Sequence, residues 1–378
     1  MRFENVKIIR AATTDLSIDF CRDVMIKMRE KGYEMVALSS PGDYLTKLNK
    51  EDGFKTIEVH IERRISLWND IKSLFNLIRV FRKEKPDVVH SITPKAGLLC
   101  MIAAWLAKVP IRIHTFTGLV WPTATGLSRR ILMTTDWLTC ACATHIIPEG
   151  EGVKSDLQKH ITKKPMKVLG FGNIQGIDLA RFDPSKFSKR EKDNDEFVFL
   201  FVGRIVGDKG INEMVWAFTQ LHQEYPKTKL RLVGDYEPEL DSLDPEADKE
   251  IRGNTAIEAK GSLFNEDLVR AYAEADCFVM PSYREGFPNS VLEAGAMGLP
   301  QVVTDINGSR EIVTDGFNGL IVPSKDRESL YNAMRLIYQD NSLREKLASN
   351  ARDSIARRFE RSFVQQCQID FYEEILSK

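Results

Sequence analysis

The chain has no surplus of positive charge: 53 lysines and arginines stand against 54 aspartates and glutamates, a formal net charge of -1. Proteins that follow a nucleic-acid backbone carry a clear cationic excess, so no nucleic acid is expected as partner. Cysteine is sparse and unpatterned. The six, at 21, 100, 140, 142, 277 and 367, form no CxxC pair. Cys140 and Cys142 are spaced to alternate on a strand, but two thiols without further ligands make a poor zinc site. The first ten residues lack the apolar core of a secretory signal, and buried free thiols fit a reducing, cytoplasmic compartment. The longest apolar stretch, 96–113, is interrupted by Lys108 and Pro110, which leaves it short of the ~20 clean residues of a membrane span.

What is present is length and alternation. At 378 residues the chain exceeds one ordinary core and suits two domains. Strand-like runs at 6–11, 33–39, 56–59, 88–90, 111–115, 141–147 and 166–169 alternate with helical patterns at 18–31, 44–51, 67–85, 95–107, 128–139 and 152–160. The stretch 170–195 is rich in glycine and then in charge, and it marks the domain boundary. The pattern restarts with strands at 197–202, 229–233, 257–259, 277–280, 300–304 and 320–322, an extended pair at 312–313, and helices at 211–225, 265–275, 290–297, 326–339, 342–352 and 359–376. Such repetition predicts an α/β chain of two parallel-sheet domains, 1–180 and 181–358, with a ligand cleft between them.

The most informative run is Glu285-Gly286-Phe287-Pro288-Asn289-Ser290-Val291-Leu292-Glu293, directly after the strand at 277–280. It puts a turn, a helix start and two carboxylates at the carboxyl end of a strand, where open α/β sheets bind ligands. Backbone N–H groups at a helix start suit a phosphate, and carboxylates accept hydrogen bonds from sugar hydroxyls. The plainer reading is a surface turn with an acidic first helical turn; the apolar Phe287, Val291 and Leu292 weigh against it. After the strand at 197–202 comes Gly203-Arg204-Ile205-Val206-Gly207-Asp208-Lys209-Gly210. Its glycines permit a tight turn, and Arg204 and Lys209 offer cations to a leaving diphosphate. The run is neither GxGxxG nor GxxxxGK[ST], which argues against a nicotinamide or an ATPase site.

Together with Ser39-Ser40-Pro41-Gly42, Val88-Val89-His90, Thr93-Pro94-Lys95-Ala96-Gly97-Leu98 and His114-Thr115-Phe116-Thr117-Gly118-Leu119, these motifs resemble the retaining glycosyltransferases of family 4. Those are enzymes of GT-B type, with two Rossmann-like domains, and the likeness spans essentially the whole chain. The closest resemblance is to the bacterial subgroup that builds capsule, O-antigen and related glycans. It implies that Gly203, Arg204, Lys209, Gly286, Phe287, Pro288, Asn289 and Ser290 surround the donor diphosphate. Glu293 would hold the nucleotide ribose and Glu285 the donor sugar, with Arg204, Lys209 and Glu285 as the catalytic set. The substrates implied are a nucleotide sugar, UDP-linked, and a polyprenyl-diphosphate-linked glycan at the inner membrane face. No cofactor or metal is expected, since protein cations take the charge role; the one D-x-D, Asp193-Asn194-Asp195, falls in the linker stretch. The last helix, 359–378, would return to the first domain.

Two departures stand out. The family's T-x-H-G histidine is replaced by Thr117, which leaves His90 and His114 as first-domain candidates, with Asp15 and Lys95 on the acceptor side. The Gly-Gly turn after the first strand is replaced by Thr13-Thr14-Asp15-Leu16-Ser17. The segment with Trp121, Arg129 and Arg130 reads equally as a contact with anionic lipid or as a solvated turn around a buried tryptophan. Alternative readings are a soluble or other lipid acceptor, or a catalytically silent nucleotide-sugar-binding subunit.

Overall fold

The computed structural model describes residues 6–62, 66–187, 196–239 and 241–377. The chain forms two compact units: the first runs to Gln175 and takes in the chain again from Ser362, and the second is Gly176–Arg361. The first contains strands β1 (Lys7–Ala11), β2 (Glu34–Ser39), β3 (Lys55–Glu58), β4 (Val88–Ile92), β5 (Ile111–Phe116) and β6 (His145–Pro148). Its helices are α1 (Asp15–Asp19), α2 (Arg22–Glu30), α3 (Asp43–Lys50), α4 (Leu67–Glu84), α5 (Pro94–Leu106), α6 (Gly126–Cys142) and α7 (Glu151–His160). The second contains β7 (Phe197–Val202), β8 (Thr228–Val233), β9 (Ile257–Ala259), β10 (Cys277–Met280), β11 (Gln301–Thr304) and β12 (Gly319–Val322). With them come α8 (Ile211–Glu224), α9 (Pro245–Gly253), α10 (Asn265–Ala273), α11 (Asn289–Ala296), α12 (Ser309–Ile312), α13 (Arg327–Gln339) and α14 (Asn341–Phe359). Helix α15 (Arg361–Leu376) closes the chain.

The strand orders are β3-β2-β1-β4-β5-β6 and β12-β11-β10-β7-β8-β9, with every pairing parallel. Each sheet therefore reverses its winding once, between β1 and β4 and between β7 and β10, and such switch points open a crevice at the strands' carboxyl ends. Both faces of the first sheet are covered. Ile9, Ala11, Val36 and Leu38 face the core that includes α5, and Ile8, Met35 and Ala37 face the core that includes α2 and α15. Strands buried on both sides read as apolar runs rather than alternations, which is why the sequence marks them so clearly. On α15 the buried face is Val364, Gln365, Gln368, Ile369, Phe371, Tyr372 and Ile375.

Several expectations need correction. The unit boundaries fall at 175/176 and 361/362, not at 180/181 and 358/359. Ile177 N donates to Phe359 O at 2.7 Å and Arg361 N to Ile177 O at 3.0 Å, which ties both segments to the second unit. Phe359 ends α14 rather than opening the last helix, and Phe363 on that helix is 39% exposed. Residues 141–142 are helical, not strand, because Lys164 Nζ caps the end of α6 through Cys140 O, Ala141 O and Ala143 O at 2.8, 2.8 and 2.9 Å. Residues 166–169 form no strand; Lys167 N donates to Ile146 O at 3.2 Å without a ladder. The helix expected at 18–31 is broken at Phe20–Cys21, where Cys21 Sγ accepts from Arg10 at 2.8 Å. Ile312 ends α12 rather than entering a strand, and α9 was not anticipated. Asp193-Asn194-Asp195 lies outside the described residues.

Candidate active site

The second unit's switch point brings the two sequence motifs together. Gly203 follows β7, and Lys209 ends the single 3₁₀ turn Gly207–Lys209 before α8. Gly210 joins that turn to α8 with φ +72°, and a Cβ there would lie 2.1 Å from Pro281 O just after β10. Only glycine permits this approach in that conformation. The two loops are then stapled side by side. Tyr283 N donates to Asp208 O at 2.9 Å, and Arg284 Nη2 pairs with Asp208 Oδ2 at 2.9 Å. Lys209 Nζ forms an ion pair with Glu285 Oε1, both side chains 14% exposed. Tyr283 OH donates to Glu213 at 2.7 Å. Arg204 stands outside this staple, exposed, 3.5 Å from Glu237 Oε2.

Beyond the staple, Gly286 is half-buried and Pro288 is the N-cap of α11. Phe287 turns its ring inward, edge-on to Phe359 at 5.3 Å, so only its backbone is placed for a ligand. Asn289 and Ser290 form the first turn of α11, with Ser290 Oγ turned toward Met280 Sδ at 3.5 Å. Glu293, one turn in, is half-buried, and its Oε2 accepts from Tyr272 OH at 2.8 Å. Burial pushes its carboxyl up to about 7, against the opposing pull of the Tyr272 hydrogen bond and the Arg181 charge. The arrangement places Arg204 and Lys209 with Glu285 and Glu293 at the carboxyl ends of β7 and β10, a set that suits an anion joined to a polyol.

The first unit's candidates are dispersed. Asp15 accepts from Tyr44 N at 3.0 Å and so serves the N-terminus of α3. Lys95 pairs with Asp70 at 2.7 Å. Thr117 sits half-buried in the loop after β5. His90 is 2% exposed: Arg10 Nη1 donates to its Nδ1 at 2.8 Å and its Nε2 meets Thr115 Oγ1 at 2.7 Å. Arg10 has no acceptor to offer, so Nδ1 is unprotonated and Nε2 carries the proton. His114 is 1% exposed, bonded to Ser91 Oγ at 2.9 Å. A Cβ at Gly97 of α5 would lie 2.2 Å from its ring, so that glycine makes room for the imidazole. Burial pushes His114 down to about 3 and His90 well below its ordinary value. Both imidazoles are interior, neutral groups.

Sequence reasoning missed Tyr272, Asp208, Glu213 and Arg181. A tyrosine on the apolar face of a helix gives a faint signal, because a buried phenol requires a partner; the other three signal nothing in sequence.

Residues 182–354 match the family described as Glycosyl transferases group 1, and residues 20–169 match the Glycosyl transferase 4-like domain. The capsular polysaccharide biosynthesis glycosyltransferase CapM of Staphylococcus aureus is 32% identical over 99% of both chains. The UDP-Gal:alpha-D-GlcNAc-diphosphoundecaprenol alpha-1,3-galactosyltransferase of Escherichia coli is 31% identical over 79% of this chain and 78% of its own. Alr3699/HepE of Anabaena, solved in complex with UDP, shares the fold with a TM-score of 0.77 at 19% identity, covering 98% of this chain and 100% of that one. The architecture is the GT-B fold. The chain belongs to the glycosyl transferases of group 1, with a glycosyl transferase 4-like domain in its first unit.

Proposed function

We propose that this protein transfers a hexose or N-acetylhexosamine from a UDP-sugar to a glycan carried on polyprenyl diphosphate, with retention at the anomeric carbon. The observation that carries the reading is the Lys209–Glu285 ion pair at the second unit's switch point, with Arg204 in the same loop as Lys209 and Glu293 one turn into the helix that follows Glu285. The donor diphosphate binds there, where Lys209 and Arg204 counter the charge that grows as the sugar departs. Glu293 accepts from the ribose hydroxyls and Glu285 from the donor sugar. The bond from the anomeric carbon to the diphosphate breaks and a bond to the acceptor oxygen forms on the same face. The acceptor's hydroxyl proton passes to the departing phosphate oxygen. With two protein cations in place, no metal or other cofactor is required. Support for donor and acceptor comes from relatives: the Escherichia coli enzyme is named for UDP-galactose and a diphosphoundecaprenol acceptor, and the Anabaena protein was solved with UDP.

The test is incubation with UDP-, GDP-, ADP- and dTDP-sugars and lipid-linked acceptors, following nucleotide release, product mass and anomeric configuration. UDP release with a retained linkage, unaffected by a chelator, is expected. No transfer from folded protein overturns the reading; an inverted product overturns the stereochemistry.

Among the described residues no helix is long and apolar enough to cross a membrane. Trp121 is buried, which favours the reading of its segment as a turn around a buried tryptophan. Among the exposed apolar groups are Trp68 (81%) and Phe75 (66%) on α4 and Leu127 (72%) on α6. Lys72, Arg79 and Arg82 lie on the same face of α4 and Arg130 beside Leu127, all exposed. Such faces suit peripheral contact with anionic headgroups at the inner membrane face, where the acceptor lipid resides. Co-sedimentation with anionic but not neutral vesicles is expected; equal behaviour with both removes this part.

A further inference from the structure

Tyr272 lies on α10, fully buried, with its ring edge-on to Phe182 at 6.1 Å and tilted against Phe278 at 6.0 Å. Packed on two sides, the phenol is fixed in direction, and a buried phenol without a partner is costly. Its hydroxyl donates to Glu293 Oε2 at 2.8 Å and lies 3.4 Å from Ser290 O in the first turn of α11. We propose that Tyr272 is a positioning residue for donor binding: its hydroxyl holds one oxygen of Glu293 and leaves the other for the nucleotide ribose. The inference rests on the donor reading of Glu293 given above.

The surroundings make the hydroxyl matter electrically as well as sterically. Arg181, stacked on Phe182 at 5.2 Å, is the cation whose charge acts on Glu293. The other cations packed near α11 are occupied. Arg352 of α14 donates to Phe182 O, Ala296 O and Leu179 O and lies 3.9 Å from Asp183. Arg358 of α14 donates to Glu311 O and Ile312 O of α12. Arg361 pairs with Asp178, and Arg270 of α10 with Glu266. Burial pushes the Glu293 carboxyl up to about 7, and the Tyr272 hydrogen bond favours the ionised form against that push. Two ribose hydroxyls need an acceptor, and a protonated carboxyl gives up part of that capacity. Nucleotide affinity therefore falls as pH drops through neutrality, and loss of the phenol hydroxyl makes the fall begin at higher pH.

The experiment is calorimetric titration of the full chain with UDP from about pH 6 to about pH 9, on the unaltered protein, Tyr272→Phe, Glu293→Gln and the double variant, each checked by thermal melting. Tyr272→Phe is expected to weaken UDP binding about three- to tenfold near neutral pH and less at the alkaline end, where only the lost positioning remains. Glu293→Gln should bind weakly with a flat pH profile, and adding Tyr272→Phe to it should change nothing further. Should Tyr272→Phe fail to fold, fluorotyrosine placed at Tyr272, a stronger donor, should move the profile to lower pH. A Tyr272→Phe profile that superimposes on the unaltered one overturns the proposal, as does equal weakening by Tyr272→Phe with and without Glu293, or a fluorotyrosine profile that does not move. If Glu293→Gln binds UDP as tightly as the unaltered protein at every pH, or if the unaltered protein binds no UDP, the donor reading itself falls and this inference with it.

Discussion

At the first unit's switch point Thr13 follows β1 and Thr93 follows β4, and their hydroxyls bond each other at 2.7 Å. Ala96 N donates to Thr13 Oγ1 at 3.2 Å, so a hydroxyl fills the place that a ligand takes in many such sheets. At the second unit's switch point the same strand order ends in Lys209 paired with Glu285 and Arg284 paired with Asp208. One crevice is closed with short neutral groups, and the other is lined with paired charges that an anion can exchange with. Below the first, the ionisable groups are taken out of play: Arg10 and His90 are interior and tied to Tyr372 of α15. Identical topology thus carries two kinds of crevice, one closed by hydroxyls in the first unit and one lined with charge in the second, and the difference lies in a few side chains after β1, β4, β7 and β10.

The largest effect that tests this contrast is structural. Ending the chain after Arg361 deletes Ile369, Phe371, Tyr372 and Ile375 from the core of the first unit. It also strips a partner from Arg10, a guanidinium with 1% exposure. His90 Nδ1 and Cys21 Sγ remain as its partners, so that loss costs about 1–3 kcal/mol, and the lost apolar contacts, at about 2–5 kcal/mol for each large core side chain, make up the greater part. The truncated chain should lose the first unit's cooperative melt, read by calorimetry and by hydrogen exchange in β1 and β4. If both survive, the stabilising role assigned to α15 is wrong.

The next effect is catalytic and confined to the second unit. Lys209→Ala should lower turnover by about 30- to 1000-fold, the scale of losing one donor to developing charge. It also leaves Glu285 without its partner. Arg204→Ala, at an exposed position, should cost less. Glu285→Gln should mainly lower kcat, and Glu293→Gln should mainly raise KM for the donor. Thr13→Val in the first unit, by contrast, should leave KM for the donor within about twofold. Steady-state kinetics check all five. A Lys209→Ala enzyme within twofold of the parent would mean that the charged crevice is not the donor site.

The same contrast shows what the chain makes legible on its own. The apolar runs of β1, β4, β7 and β10 are readable because strands covered on both faces need apolar residues throughout. The motifs after β7 and β10 are readable because they cluster within two short loops. Partners distant in sequence are not readable. Lys164 lengthens α6 by capping its carbonyls from more than twenty residues away, and Tyr272 reaches Glu293 from another helix. His90 and His114 are candidates in the sequence because the resemblance expects a first-domain histidine where Thr117 stands. Their burial depends on how α5 and α15 cover β4 and β5, which local pattern does not encode.

The smallest expected effect concerns acid stability and separates the units by sign. Burial pushes His114 down to about 3, from an ordinary 6.5, and His90 also well below its ordinary value. Between those limits the unfolded chain binds protons that the folded first unit refuses, so stability is lost as pH falls from about 6.5 toward about 3. Each histidine contributes at most about 1.4 kcal/mol per pH unit in that window. Asp136, also in the first unit, works the other way. Its carboxyl is pushed up to about 7, so below that pH the fold holds a proton that the unfolded chain has not yet bound. Glu293 has the same sign in the second unit, where no buried histidine opposes it in this way. Lowering the pH from about 7 to about 5 should therefore loosen the first unit before the second. Hydrogen exchange should rise first in β4 and β5, with β10 and α11 protected longer. His114→Asn should lower stability at neutral pH, because the Ser91 contact and the ring packing are disturbed, yet it should flatten the acid slope of the first unit by up to one proton. An unchanged slope in that variant would mean that His114 takes up its proton in the folded state, and the neutral interior drawn for the first unit would have to be redrawn.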